Sequence, residues 1–133
     1  LSQTTIGNPL NEKVRMGSLA GESQRAEVKA QVQKLLASSQ LIYGSLDSVQ
    51  VIDADAQKGA FMSPLLLLNE TPFQSKEVHE IEAFGPVSTL MPYDHVEDAI
   101  QLAKMGKGSL VSSIVTADKS IAKSYVLGAG MYH

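Results

Sequence analysis

The chain is predicted to form an α/β layered fold with a largely parallel sheet, and three observations predict it. Val87 to Thr116 reads as strand, helix, strand, at the length of one right-handed crossover. Leu65 to Leu68 is an unbroken apolar run, the pattern of a strand covered on both faces. From Glu22 to Ala37 the apolar positions Val28, Val32, Leu35 and Leu36 fall on one face of a helix, the stripe that a sheet covers.

Taken in order, Leu1 to Leu19 is extended and irregular, interrupted by Gly7-Asn8-Pro9 and Gly17-Ser18. The first helix starts after Gly21 and carries Arg25, Lys29 and Gln33 off its apolar stripe. Leu41-Ile42-Tyr43, closed by Gly44, is a short strand, and Ser45 to Lys58 is a polar arm or loop around Val49-Gln50-Val51-Ile52. Pro64 stands at the start or edge of the Leu65 to Leu68 strand. Thr71 to Ile81 is a polar connection with room for one helical turn, and Val87 to Met91 is the next strand. Asp94 is expected to cap a helix bearing Val96, Ala99, Ile100 and Ala103, ended by Gly106 and Gly108. Leu110 to Thr116 is then a strand, and Asp118 caps a last helix with Ile121, Ala122, Tyr125 and Val126, stopped by Gly128.

At 133 residues the chain has the length of one domain, and 44% hydrophobic with 19% charged residues is the composition of a globular protein. A net charge of −3 without a basic cluster argues against nucleic acid as the main partner. The apolar run at Leu65 is too short to cross a bilayer, and no charged-then-apolar leader opens the sequence. The chain has no cysteine, hence no disulfide, thiolate metal site or cysteine nucleophile of its own, which fits a cytoplasmic location. It begins with Leu1, not Met, and is expected to be a piece of a longer polypeptide.

The candidate site is Glu82-Ala83-Phe84-Gly85-Pro86-Val87. A carboxylate can accept hydrogen bonds from two neighbouring hydroxyls, as a ribose presents them, and a ring two residues on can pack against a heterocycle. The Gly-Pro turn fixes both at a strand end, where open α/β sheets bind ligands. The competing interpretation is an ordinary loop with an exposed acid and a core ring.

Other short motifs fail on context. Gly106-Lys107-Gly108-Ser109 lies between helix and strand, the reverse of a phosphate loop, and Gly128-Ala129-Gly130 follows a helix. His79-Glu80 has Ala83 where a second zinc ligand would stand, and His95, Glu97 and Asp98 form a solvated first helical turn. Ser112 and Ser113 have no nucleophile elbow around them, and Asn69-Glu70-Thr71 is a glycosylation sequon without a secretory signal. No catalytic residue and no metal ligand is assigned.

In order along the chain, Gly7-Asn8-Pro9-Leu10, Met16-Gly17-Ser18-Leu19, Gly59-Ala60-Phe61 with Pro64, Glu82-x-Phe84-Gly85-Pro86-Val87 and Thr116-x-Asp118 resemble the aldehyde dehydrogenase superfamily. The likeness covers nearly all of residues 1–133 and falls on the part of the catalytic domain that follows the nucleophilic cysteine. His79 to Val87, Leu90-Met91-Pro92 and Gly108-Ser109-Leu110, with Ser109 in place of the usual glycine, narrow it to the subgroup acting on CoA-linked semialdehydes in phenylacetic acid degradation. The aldehyde dehydrogenases of benzoyl-CoA breakdown remain an alternative, as does a free-standing α/β binding module without catalytic duty.

The resemblance implies that a cysteine, the dinucleotide-binding domain and a hydrolase domain lie outside this chain, which is then inactive alone. It implies NADP, or NAD, as cofactor, with Glu82 on the nicotinamide-ribose hydroxyls and Phe84 beside the nicotinamide. The expected partners are the remainder of the parent enzyme and further copies in a homo-oligomer, with no nucleic acid and no membrane.

Overall fold

The structure, a computed structural model, describes residues 1–107 and 110–130. Helix α1, Glu22–Leu35, starts at Gly21 as expected and buries Val28, Val32 and Leu35. It lies on a sheet of three strands in the order β1-β2-β3: β1 is Gln40–Tyr43, β2 is Leu65–Leu68 and β3 is Val87–Leu90. β2 is the central strand, and its inward residues Leu65 and Leu67 are almost fully buried, with Leu66 and Leu68 half-buried. Central position on the sheet explains the continuous apolar run.

β2 and β3 pair in parallel, with Leu65 opposite Val87 and Leu68 opposite Leu90. β1 pairs antiparallel to β2, with Gln40 opposite Leu68, so the sheet is mixed. The connection from Gly44 to Pro64 contains no helix, so it carries the chain back without a parallel crossover. Its arm makes one isolated bridge, from Ile52 to Gly7. The closeness of that bridge requires glycine, because a Cβ at position 7 would overlap the Ile52 carbonyl oxygen. The polar connection before β3 contains a single turn, α2, Glu77–Glu80.

Two helices follow, α3 at Val96–Met105 and α4 at Lys119–Ala129, and they pack on each other. The α3 cap is His95, one residue after the expected Asp94, and the Asp98 carboxylate accepts a hydrogen bond from the His95 N–H at 3.0 Å. Glycine 128 does not stop α4: it lies inside the helix against Ile100, and Gly130, left-handed at φ 68°, is the C-cap.

The predicted strand from Leu110 to Thr116 does not form. The segment holds only a lone bridge position at Val111, and Val115 is 98% exposed. Its alternating β-branched residues have strand propensity, but a strand exists only where a neighbour supplies a ladder. The second half of the expected crossover is therefore open, and Ser112 and Ser113 lie in irregular chain. Gly108, Ser109 and His133 lie outside the described residues. No described helix is long and apolar enough to cross a membrane.

Candidate functional site

The turn from Glu82 to Pro86 is seated on α1 through three adjacent residues. Ala83 packs against the core cluster of Val28, Val32, Met62 and Leu65. The Phe84 carbonyl accepts a hydrogen bond of 2.8 Å from the Gln24 side-chain amide. Gly85 lies so close to Val28 that an added Cβ would stand 2.8 and 2.9 Å from its two methyl groups. Short backbone bonds, Gly85 N–H to Ala83 O at 2.7 Å and Val87 N–H to Gly85 O at 2.8 Å, tighten the bend. The Pro86 carbonyl then accepts from the Leu65 N–H at 2.8 Å and starts the parallel ladder.

The fixed backbone leaves both candidate side chains outward. The Glu82 side chain is exposed and has no hydrogen bond or ion pair among the described residues. Phe84 is 69% exposed as a residue, so the core-ring interpretation is wrong for it. Exposure of a large ring on an otherwise well-seated turn leaves its face available for stacking.

The turn sits at the amino ends of the parallel strands β2 and β3, whereas open α/β sheets bind ligands at the carboxyl ends. Strand-end logic alone therefore does not explain its position. Beyond the carboxyl end of β3 lies an open depression of about 720 Å³, walled by Thr89, Leu90 and Met91, the α2 segment, α3 and α4. Glu82 lines this depression, and Phe84 lies outside it.

The remaining motifs have structural roles. His79 Nε2 is 2.8 Å from the Pro72 carbonyl, and no three metal-binding side chains gather among the described residues. Asn69, the sequon asparagine, is 1% exposed. Its amide donates to Ser38 O at 2.6 Å and Ser75 Oγ at 3.0 Å. Asn8 of the Gly-Asn-Pro element closes a tight turn by accepting from the Leu10 N–H at 3.1 Å.

In Thr116-x-Asp118, Thr116 Oγ1 accepts from the Asp118 N–H, and Asp118 Oδ1 accepts from the N–H groups of Ser120 and Ile121. The Ser120 hydroxyl, then the two backbone N–H groups, hold the Asp118 carboxyl below its ordinary pKa. The sequence alone does not point to Gln24. Its only signal is that it stands one turn before Val28 on α1, and its contact at Phe84 lies sixty positions away.

The aldehyde dehydrogenase family profile matches residues 1–131. The chain is 35% identical, over its whole length, to 3,4-dehydroadipyl-CoA semialdehyde dehydrogenase of Aromatoleum evansii, of which it covers 26%. It is 41% identical over 89% of its length to Protein MaoC of Klebsiella aerogenes, covering 34% of that protein. The chain thus spans about a quarter to a third of these curated relatives.

Among solved structures, HpcC from Thermus thermophilus superposes with a TM-score of 0.85 over 99% of the chain and 26% of its own, at 24% identity. A betaine aldehyde dehydrogenase from Staphylococcus aureus in complex with NAD+ gives 0.84 over 98% and 26%, at 21% identity. At those identities the superpositions speak for the fold, and the profile match over 131 residues with the two curated relatives speaks for descent. Ordered motifs, fold and sequence agree, and the chain belongs to the aldehyde dehydrogenase family.

Proposed function

We propose that residues 1–133 form part of the catalytic domain of an NAD(P)-dependent aldehyde dehydrogenase and furnish part of its nicotinamide-ribose pocket. The observation that carries this reading is the turn itself: an unengaged Glu82 carboxylate and an exposed Phe84 ring on a backbone anchored to α1. These residues fit the group. A carboxylate free of protein partners can accept from two ribose hydroxyls, and an exposed aromatic face can support a planar ring. The nicotinamide cofactor, when bound, supplies the oxidising chemistry.

Glu82 holds the sugar in one orientation, Phe84 limits the tilt of the attached ring, and α1 keeps both from drifting. Positioning of this kind acts on rate, because small misplacements of reacting groups are costly. The chain has no cysteine, so the family's thiolate nucleophile comes from the remainder of the polypeptide, and the isolated chain is inactive. The substrate proposed is a CoA-linked semialdehyde, oxidised to the acid in phenylacetate catabolism. The relative named for a CoA-semialdehyde and the His79 to Val87 signature support this. NADP is favoured over NAD by the same subgroup likeness. The enzyme is proposed to be cytoplasmic and homo-oligomeric.

The test is Glu82→Gln in the enzyme that carries this chain. Exchanging a charged acceptor for a neutral one forfeits part of a bond worth about 1.5–3 kcal/mol, so hydride transfer should slow by roughly tenfold or more. Steady-state and single-turnover rates equal to those of the parent would overturn the assignment.

A further inference from the structure

We propose that Gln24 is a positioning residue for the cofactor-facing turn, acting on Glu82 and Phe84 through the backbone. This rests on the cofactor reading of those two residues.

Gln24 lies in the first turn of α1 and is half-buried. Both ends of its amide are in use. Oε1 accepts from the Ala20 N–H at 3.0 Å, and Nε2 donates to the Phe84 carbonyl at 2.8 Å. The first bond fixes the side chain against the start of the helix, so the second reaches out from a braced group, not a free rotor. Val28 stands four residues on, on the same face, and receives Gly85. The turn is thus held at two successive points by one helix face: a polar grip on Phe84 and an apolar seat under Gly85. Among the described residues, the bond from Gln24 is the side-chain hydrogen bond that reaches the 82–86 segment.

The position of the gripped atom gives the bond its consequence. A carbonyl held at residue 84 sets the peptide plane between Phe84 and Gly85, and with it the direction of the Phe84 side chain. Glu82, two residues earlier, is tied to the same bend through the Ala83 carbonyl, which accepts the Gly85 N–H at 2.7 Å. Releasing the grip lets the turn sample orientations in which the carboxylate and ring miss the cofactor. Only the fraction of turns in the binding orientation contributes to affinity. One neutral hydrogen bond of ordinary strength corresponds to between about twofold and tenfold in that fraction. A merely structural role predicts something else: a small loss of stability with unaltered cofactor parameters.

The experiment uses the enzyme that carries this chain, with Gln24→Glu and Gln24→Met. Gln24→Glu keeps the oxygen that Ala20 N–H needs and puts a carboxylate oxygen where the Phe84 carbonyl requires a donor. Gln24→Met keeps length and removes both bonds. Each variant is measured for KM of NADP and NAD, for kcat, and for amide hydrogen exchange of the peptide spanning residues 82–87. Both are also built on Glu82→Gln with Phe84→Ala.

The expected result is a cofactor KM raised about three- to tenfold by Gln24→Glu, with faster exchange across residues 82–87 and little change in thermal midpoint. On the Glu82→Gln, Phe84→Ala background the same substitution should add nothing, because the groups it positions are gone. A full, multiplicative effect on that background would overturn the proposal, since Gln24 would then act on its own. Unchanged exchange at 82–87 would overturn it too, whatever the kinetics. If Glu82→Gln and Phe84→Ala are themselves silent while exchange at the turn rises in Gln24→Glu, the cofactor reading has failed, and the grip is a structural bond without the proposed role.

Discussion

The half of the molecule built on α1 closes a buried apolar cluster, and the half built on α3 and α4 buries far fewer apolar residues. In the first, Val28, Val32, Met62, Leu65 and Leu67 are each 3% exposed or less, and Leu36, Leu41 and Val87 close around the cluster. In the second, Leu102 and Ala129 are buried, while Val115 is 98%, Leu110 77% and Leu127 74% exposed. Both halves have ordinary helices. The difference is that the first finds its covering layer within the chain and the second does not. Large apolar side chains left this exposed are candidates for a covering surface. The Glu82 to Pro86 turn belongs to the finished half, since Ala83 and Gly85 rest on its core. The groups proposed to hold the cofactor are thereby carried by the half with the buried core.

The largest effect should come from breaking that contrast at its strong end. Leu67 is fully buried on the central strand, so Leu67→Ala should cost about 2–5 kcal/mol, enough to unfold a marginal domain. Leu127→Ala, at a site 74% exposed, should stay within about 0.5 kcal/mol. Denaturant midpoints of the two variants test this. Equal losses would mean that the halves are not energetically different.

Gly85→Ala sharpens the contrast from within the finished half, where the turn rests on α1. The new Cβ meets Val28, a stiff β-branched side chain, at 2.8 and 2.9 Å, and overpacking of this kind costs about 1–3 kcal/mol. Val28→Ala opens room on the same spot. The double variant should therefore be less damaged than the sum of the two single ones. Strict additivity in the melting curves would show that the turn does not rest on α1.

How far the sequence foretold these features follows from how local each one is. The α1 stripe, the buried run at β2, the single turn of α2 and the Asp118 cap are set by neighbours within one helical turn or one strand, and they formed as expected. Leu110 to Thr116 has the right alternation for a strand, yet no local pattern says whether a neighbouring strand exists. The antiparallel direction of β1 was likewise decided by the path of the connection from Gly44 to Pro64, which has no periodicity. At the candidate site, residue types pointed to Glu82 and Phe84. Gln24 could not be found that way, because its partner is sixty positions distant. The exposed placement of Phe84 also needed coordinates, since a ring in an apolar context reads equally well as core.

A smaller effect is expected at the unfinished half. The isolated chain should self-associate as concentration rises, and Leu110→Lys with Val115→Lys should weaken association without changing the thermal midpoint, because both sites are exposed. Sedimentation velocity over a concentration series reads this directly. A monodisperse monomer at high concentration would show that the exposed apolar residues are inert.

The smallest effect lies at the start of α4, on the solvent-exposed side of the same half. Asp118 caps the helix, and its carboxyl is held below the usual value of 3.8 first by the Ser120 hydroxyl, then by the Ser120 and Ile121 N–H groups. A folded-state pKa below the unfolded one means that the unfolded chain binds more protons through the titration, so stability rises with pH there. The contribution is complete above the unfolded value and disappears as pH falls through the lower folded value. Asp118→Asn keeps an oxygen for the cap but does not titrate, so α4 should lose this acid sensitivity while remaining capped. Carboxyl chemical shifts followed against pH would show Asp118 titrating below 3.8, and amide exchange over residues 120–129 would quicken on acidification in the parent chain but not in Asp118→Asn. If Asp118 instead titrates at the unfolded value, the cap carries no charge-dependent share of helix stability, and the second half is held by the α3–α4 contact alone.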